Sequence, residues 1–230
     1  SALPARSEMC IRDSNDEYCL LTKGGFTFLK EDRRVRKTKS AIKYAFIQLL
    51  KERSLENITV QDIADKADIN RGTFYLHYED KYLLLTDMED ECIEQISKFT
   101  QFSEIQGDNV EMIATLFIDK VLRNIIQHVY DNLDFYNTIL SLERKSRLEE
   151  KISDLIQYNM KHQVSVDNKI EGIPEMYFHS YVSGATISII RYWVLDSNRI
   201  SVDELVTHIF KIIYYGPLRI MAEQRYNHMN

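Results

Sequence analysis

Residues 59–81 constrain this chain more than any other stretch. They run Thr-Val-Gln-Asp-Ile-Ala-Asp-Lys-Ala-Asp-Ile-Asn-Arg-Gly-Thr-Phe-Tyr-Leu-His-Tyr-Glu-Asp-Lys. Val60, Ile63, Ala64 and Ala67 recur at i, i+3, i+4 and i+7, the spacing of one apolar helix face. Thr59 stands where an N-cap belongs, with Asp62 three residues on as a capping-box partner weaker than Glu. Asp68-Ile69-Asn70 supplies a turn, two polar bend formers around one apolar anchor. Phe74 and Tyr78, four apart, give a second short helix its buried side. Arg71, Thr73, Tyr75, Leu76 and His77 are left on or beside the outward side. A cation, hydroxyls, a phenol and an imidazole on one short exposed helix suit a DNA groove and its phosphates.

The run Thr-Val-x-x-Ile-Ala-x-x-Ala-x-Ile-x-x-Gly-Thr-Phe-Tyr-x-His-Tyr-x-x-Lys resembles the signature of the TetR/AcrR family of bacterial one-component regulators. The likeness is close over residues 59–81 and extends in pattern over residues 33–58. A helix-turn-helix spacing alone is a weak signal. Gly72-Thr73-Phe74-Tyr75 with Lys81 at the family distance makes it specific. A purely structural hairpin in some other all-α protein does not need Tyr75 and His77 exposed together. The resemblance implies that Gln61, Arg71, Gly72 and Tyr75 approach base edges, and that Thr59, Thr73, His77 and Lys81 hold phosphates and register. Leu76 lies on the same outward side.

Composition agrees with an all-α chain. There are only 7 Gly and 3 Pro in 230 residues, so long helices with few connections are expected. The net charge of −6 is unevenly spread: residues 30–81 hold 12 Lys/Arg against 9 Asp/Glu, which leaves −9 on the rest. A basic front on an acidic body fits a nucleic-acid-binding head on a sensor body. The first helix is expected from Arg33 to Arg53, with Ile42, Ala45, Phe46, Leu49 and Leu50 inward. Its start carries Arg36 and Lys37 among other cations, which oppose the helix dipole; a phosphate partner accounts for them.

Three parts are expected: residues 1–30 as a disordered or non-native leader, residues 31–80 as a three-helix helix-turn-helix head, and residues 81–230 as a helical effector-binding and dimerisation body. Within the leader, Glu8–Ser14 matches one translated frame of a transposase mosaic-end adapter used in DNA library preparation. Residues 15–30 are either native extension or flank. A connecting helix is expected near 80–99, then body helices near 110–130, 135–142, 144–162, 174–195 and 201–223. Pro174 suits a first turn, Ser201 and Glu204 form a capping box, and Gly216-Pro217 kinks or splits the last helix. The acidic run Asp87, Glu89, Asp90 and Glu91 reads as solvated helix surface.

The C-terminal half also resembles one TetR branch, through the small-residue stretch Ser180–Thr186 leading to Trp193 and the Ser201 helix start. The resemblance implies a homodimer through residues 174–223. Gly184, Ala185 and Ser188 would allow close approach there, and Ile187, Ile190, Ile209, Ile212 and Ile213 would bury apolar area. Phe117, Tyr136, Tyr158, Tyr177 and Tyr181 are the candidate lining of an effector pocket, although most aromatics at helical spacing are core.

Catalytic and metal chemistry has little support. The 6 histidines show no His-x-x-x-His or Cys/His cluster, and no phosphate-cradling Gly loop or nucleophile elbow occurs. No cofactor and no metal are expected. The 3 cysteines lie far apart, as in a reducing cytoplasm, and no apolar run reaches membrane-spanning length. The resemblance therefore implies a cytoplasmic, non-enzymatic regulator, a repressor-type homodimer on a palindromic DNA operator, released by a small organic effector of unknown identity. A TetR-fold co-regulator working through a protein partner is the alternative, and a small helical enzyme a more distant one.

Overall fold

The computed structural model describes the backbone of residues 9–13, 17–22, 25–30, 33–100, 105, 107–142, 146–163 and 165–229, with side chains from residue 33 onward except 163, 228 and 229. The chain divides into two compact units, residues 1–80 and 81–230.

The first unit opens with an antiparallel meander of β1 (Met9–Asp13), β2 (Glu17–Thr22) and β3 (Gly25–Lys30), in the order β1-β2-β3. The expectation for residues 1–30, a disordered or non-native leader, includes no strand; residues 9–13, 17–22 and 25–30 pair as these three. The adapter origin of residues 8–14 is a separate matter, decided by the source DNA.

Helix α1 (Arg33–Glu52) buries Ile42, Ala45, Phe46, Leu49 and Leu50, the face that the periodicity marks, together with Ile47. Leu55 and Ile58, in the link that follows, add two more buried aliphatics. Helix α2 (Val60–Lys66) contributes Ile63 and Ala64, and α3 (Arg71–Tyr75) contributes Phe74, with Tyr78 just beyond it. Phe46 and Phe74 are wholly buried, and each stabilises the unit by roughly 1.5–3 kcal/mol.

In the second unit, α4 (Lys81–Lys98) buries Leu84, Leu85, Met88, Cys92 and Ile96. The expected helix near 110–130 is α5 (Val110–Phe117) and α6 (Arg123–Asp131) joined by a π turn over Ile118–Leu122, where the Arg123 N–H reaches the Ile118 carbonyl five residues back. No Gly or Pro marks this register shift, so a pattern reading runs straight through it. Then come α7 (Leu133–Leu140), α8 (Leu148–Gln163), α9 (Glu175–Leu195), α10 (Val202–Tyr215) and α11 (Pro217–Met229). α8 packs on α4 and α9, α9 also on α7, and α10 on α6.

Three junctions differ from or refine expectation. A two-residue hairpin of β4 (Lys169–Ile170) and β5 (Ile173–Pro174) precedes α9. Glu171 and Gly172 both have positive φ, 48° and 78°, the handedness that matches strand twist. Pro174 is the N-cap of α9, one place before its first turn. Gly216, at φ 78° and ψ 142°, divides the last helix as its Gly-Pro pair suggests, but α11 then runs on past residue 223 to Met229. The link between α9 and α10 is tied by the Trp193 indole N–H donating to the Ile200 carbonyl at 2.7 Å, and Ser201 and Glu204 form the expected capping box.

Candidate nucleic-acid interface and body cavity

The hydrogen bonds that aim α3 are local. The Thr59 hydroxyl accepts from the Asp62 N–H at 3.1 Å, and Asp62 Oδ2 accepts from the Thr59 N–H at 2.8 Å and from its hydroxyl at 2.7 Å. These bonds, with Arg53 3.3 Å away, hold the Asp62 carboxyl below the usual carboxylate range, the Thr59 side-chain bond first. α2 then ends in a left-handed residue, Asp68 at φ 54°. The Ile69 N–H bonds the Ala64 carbonyl at 3.0 Å and the Asp68 N–H bonds the Asp65 carbonyl at 3.3 Å, the paired bonds of a Schellman ending. Asn70, read from the sequence only as a turn former, caps α3: its Oδ1 accepts from the Thr73 N–H at 2.7 Å and the Thr73 hydroxyl at 3.0 Å. Gly72 suits this cap, because a Cβ there would lie 3.2 Å from Asn70 Oδ1.

The outward side of α3 carries Arg71, Gly72, Tyr75 and Leu76, all exposed, while Phe74 is 0% exposed. Leu76 is 81% exposed, too open for a core role within the unit. Arg71 Nε and Nη2 donate to the Tyr75 hydroxyl at 3.2 and 2.9 Å, and its guanidinium carbon lies 5.3 Å from the ring centre. Those bonds occupy two of its five N–H donors. Gln61 is exposed on α2 and donates to Asp65 at 2.7 Å. Thr73 and His77 are half-buried at the edge of the face. Arg36 and Lys37 are exposed on α1. Lys81 opens α4 in the second unit, its ammonium 5.3 Å from the Tyr82 ring centre. The Thr59 and Thr73 hydroxyl hydrogens are directed at Asp62 and Asn70, so both residues first serve to hold the motif together. Tyr44, two turns beyond Lys37 on α1, is also exposed.

In the second unit a cavity of about 490 Å³, half open to solvent, lies between α5, the π turn and α10. Of the five aromatics expected to line an effector pocket, Phe117 lines this cavity. Tyr136 is a core residue whose hydroxyl sits 2.8 Å from Cys92 Sγ; burial pushes its phenol far up and the Cys92 thiol to about 11. Tyr158, Tyr177 and Tyr181 are exposed on α8 and α9. The lining of this cavity is mainly aliphatic, including Ile113, Ile118, Leu122 and Ile213, with Phe210 and Tyr214 from α10. Burial first, and the negative charge of Glu111 second, raise the Tyr214 phenol.

α9 leaves an exposed stripe of Tyr177, Tyr181, Gly184, Ser188 and Tyr192, with small residues in the middle and open space where a Gly184 Cβ would be. Of the residues expected at a dimer surface, Ala185, Ile187, Ile190 and Ile212 are half-buried, Ile209 is core, and Ile213 faces the cavity. Among the described residues no helix is long and apolar enough to cross a membrane.

A capped two-helix motif with a short exposed second helix, on a chain with a separate helical unit, is a helix-turn-helix arrangement. The family model for "Bacterial regulatory proteins, tetR family" matches residues 45–88, and that for "Transcriptional regulator C-terminal region" matches residues 118–215. The chain belongs to the TetR family of bacterial transcriptional regulators. It is 24% identical over 177 residues to the uncharacterized HTH-type transcriptional regulator YxbF of Bacillus subtilis (strain 168), which covers 75% of this chain but only 43% of that relative. The fold resembles a TetR transcriptional regulator from Streptococcus agalactiae 2603V, with TM-score 0.56, 23% identity, and 80% and 97% of the two chains covered. It also resembles the fatty acid degradation regulator FadR from Bacillus halodurans, with TM-score 0.61, 15% identity, and 78% and 96% covered.

Proposed function

We propose that the protein is a homodimeric DNA-binding regulator that reads a palindromic operator through α3 and is released by a small organic molecule bound in residues 81–230. The observation that carries this is the α3 face: Arg71, Tyr75 and an 81% exposed Leu76 stand out, while Phe74 and Tyr78 anchor the helix. Arg71 is suited to bidentate contact with guanine, and Leu76 to apolar contact with a thymine methyl. Thr73, His77, Lys81, Arg36 and Lys37 are the phosphate-side groups. A two-fold pair of heads matches half-sites one helical turn or a multiple apart, and the α9 stripe within residues 174–223 supports the pairing. Effector release would act by changing the spacing of the two heads.

The test is fluorescence anisotropy on DNA from upstream of its own gene against random duplex, across a salt series. Arg71→Ala should lose about 1–3 kcal/mol of discrimination between the two. Lys81→Ala should weaken both alike and reduce the salt slope by about one. Equal affinity of the wild-type dimer for both duplexes at physiological salt would refute the proposal and favour a co-regulator acting through a protein.

A further inference from the structure

The body cavity has a chemistry that narrows what it can hold. Its volume of about 490 Å³ falls within the range of small-molecule sites, roughly 300–1,000 Å³. Among the described residues no charged side chain lines it, and the one polar side chain in the lining is Tyr214. A charged group drawn fully inside would lose its hydration with nothing to pair it. Beside Tyr214 stands Glu111, exposed on the first turn of α5, which puts a negative charge next to the cavity.

A second observation points to the same place. The π turn that interrupts α5–α6 supplies Ile118 and Leu122 to the cavity wall. Such turns are rare, and they concentrate at functional sites because an extra residue re-aims the side chains around it. Here the re-aimed side chains are cavity wall.

We propose that this cavity binds one lipophilic molecule with a hydrocarbon body and a neutral or cationic head, and that it discriminates against anionic heads through Glu111. The proposal rests on the reading of residues 81–230 as the effector-binding part and names the effector's chemical class. The body of the ligand replaces water against Phe117, Ile118 and Phe210. Its head stays at the half-open mouth beside Tyr214 and Glu111.

The experiment titrates 1-decanol, decylammonium and decanoate, each below its micelle concentration, into the full chain by calorimetry in the absence of DNA. Decanol and decylammonium should bind at one site per chain, and decanoate about tenfold more weakly, as expected for one nearby carboxylate at a wet mouth. Glu111→Gln should bring decanoate to within about twofold of decanol. Ala114→Phe, or Ile113→Trp if the first fails to melt cooperatively, should fill the space and abolish binding of all three. The proposal is overturned if decanoate binds as tightly as decanol, if none of the probes binds, or if the filling variants bind normally. Operator binding is measured separately. A normal probe pattern without an operator shift would sink the regulator reading and leave the ligand class standing; an operator shift without probe binding would do the reverse.

Discussion

Lys151→Met should destabilise residues 81–230 by about 3 kcal/mol, at the low end of the range for stripping one partner from a buried ion pair. Glu89 on α4 is 2% exposed. Its Oε1 accepts from the Ser146 hydroxyl at 2.8 Å and the Arg147 N–H at 3.0 Å, and its Oε2 faces the Lys151 ammonium at 3.1 Å. Lys151 on α8 also reaches Asp90 at 2.7 Å. Methionine keeps most of the volume but leaves Oε2 charged and buried without its cation. The two bonds to Oε1 survive, which is why the low end applies. For a unit of this size the midpoint should fall by about 6–12 °C. Urea unfolding followed by circular dichroism, at one fixed protein concentration, measures the loss. Burial pulls the Lys151 pKa down, but the bonds from Asp90 and Glu89 outweigh it, and the net shift is upward. A raised folded value means that the contribution is complete below the ordinary lysine value of 10.5 and fades only as pH climbs through the folded value. Adding Glu89→Gln to Lys151→Met removes the stranded charge, so the double variant should be more stable than Lys151→Met alone. A loss below about 1 kcal/mol, or a double variant worse than the single, would refute the reasoning.

Asp68→Gly should stabilise the head by up to about 1 kcal/mol, because glycine carries no penalty at φ 54°; a lower urea midpoint would count against the Schellman ending. The Asp62 carboxyl is depressed, so its contribution is present above its ordinary value of 3.8 and is lost as pH falls through the lower folded value. The stability gap between wild type and Asp62→Asn should therefore hold through neutral pH and close in acid, which unfolding curves across that range would show. Ser188→Arg places a cation on the exposed α9 stripe; light scattering should report a monomer with unchanged helicity, and a persisting dimer would place the interface elsewhere.

What could be read in advance follows from range. The α1 stripe, the Thr59–Asp62 box and the Ser201–Glu204 box depend on neighbours within a turn or two, and the residue pattern specifies them. The cavity depends on which helices meet. Tyr136 and Tyr158 look alike at helical spacing, yet one is core and the other 60% exposed, because α7 lies inside the bundle and that side of α8 does not. Glu89 read as solvated surface beside Asp90 and Glu91, and only the packing of α8 on α4 shows it to be buried and paired. The π turn leaves no compositional mark at all.

The same distinction bears on the proposed operator reading by a mildly basic head. A net +3 over residues 30–81 gives little bulk attraction, so selectivity has to come from placement. α3 is only five residues long and would not persist alone. Asn70 closes its first turn, Phe74 and Tyr78 root it in the core, and the Asp68 turn sets its direction from α2. Arg71 is in turn held against Tyr75, so the guanidinium begins close to one orientation rather than sampling many. Less side-chain entropy then remains to be lost on meeting a base edge, a saving of order 0.5–1.5 kcal/mol per immobilised side chain. If α3 reads an operator as proposed, Asn70 and Phe74 serve recognition by holding the helix that carries the contacting side chains.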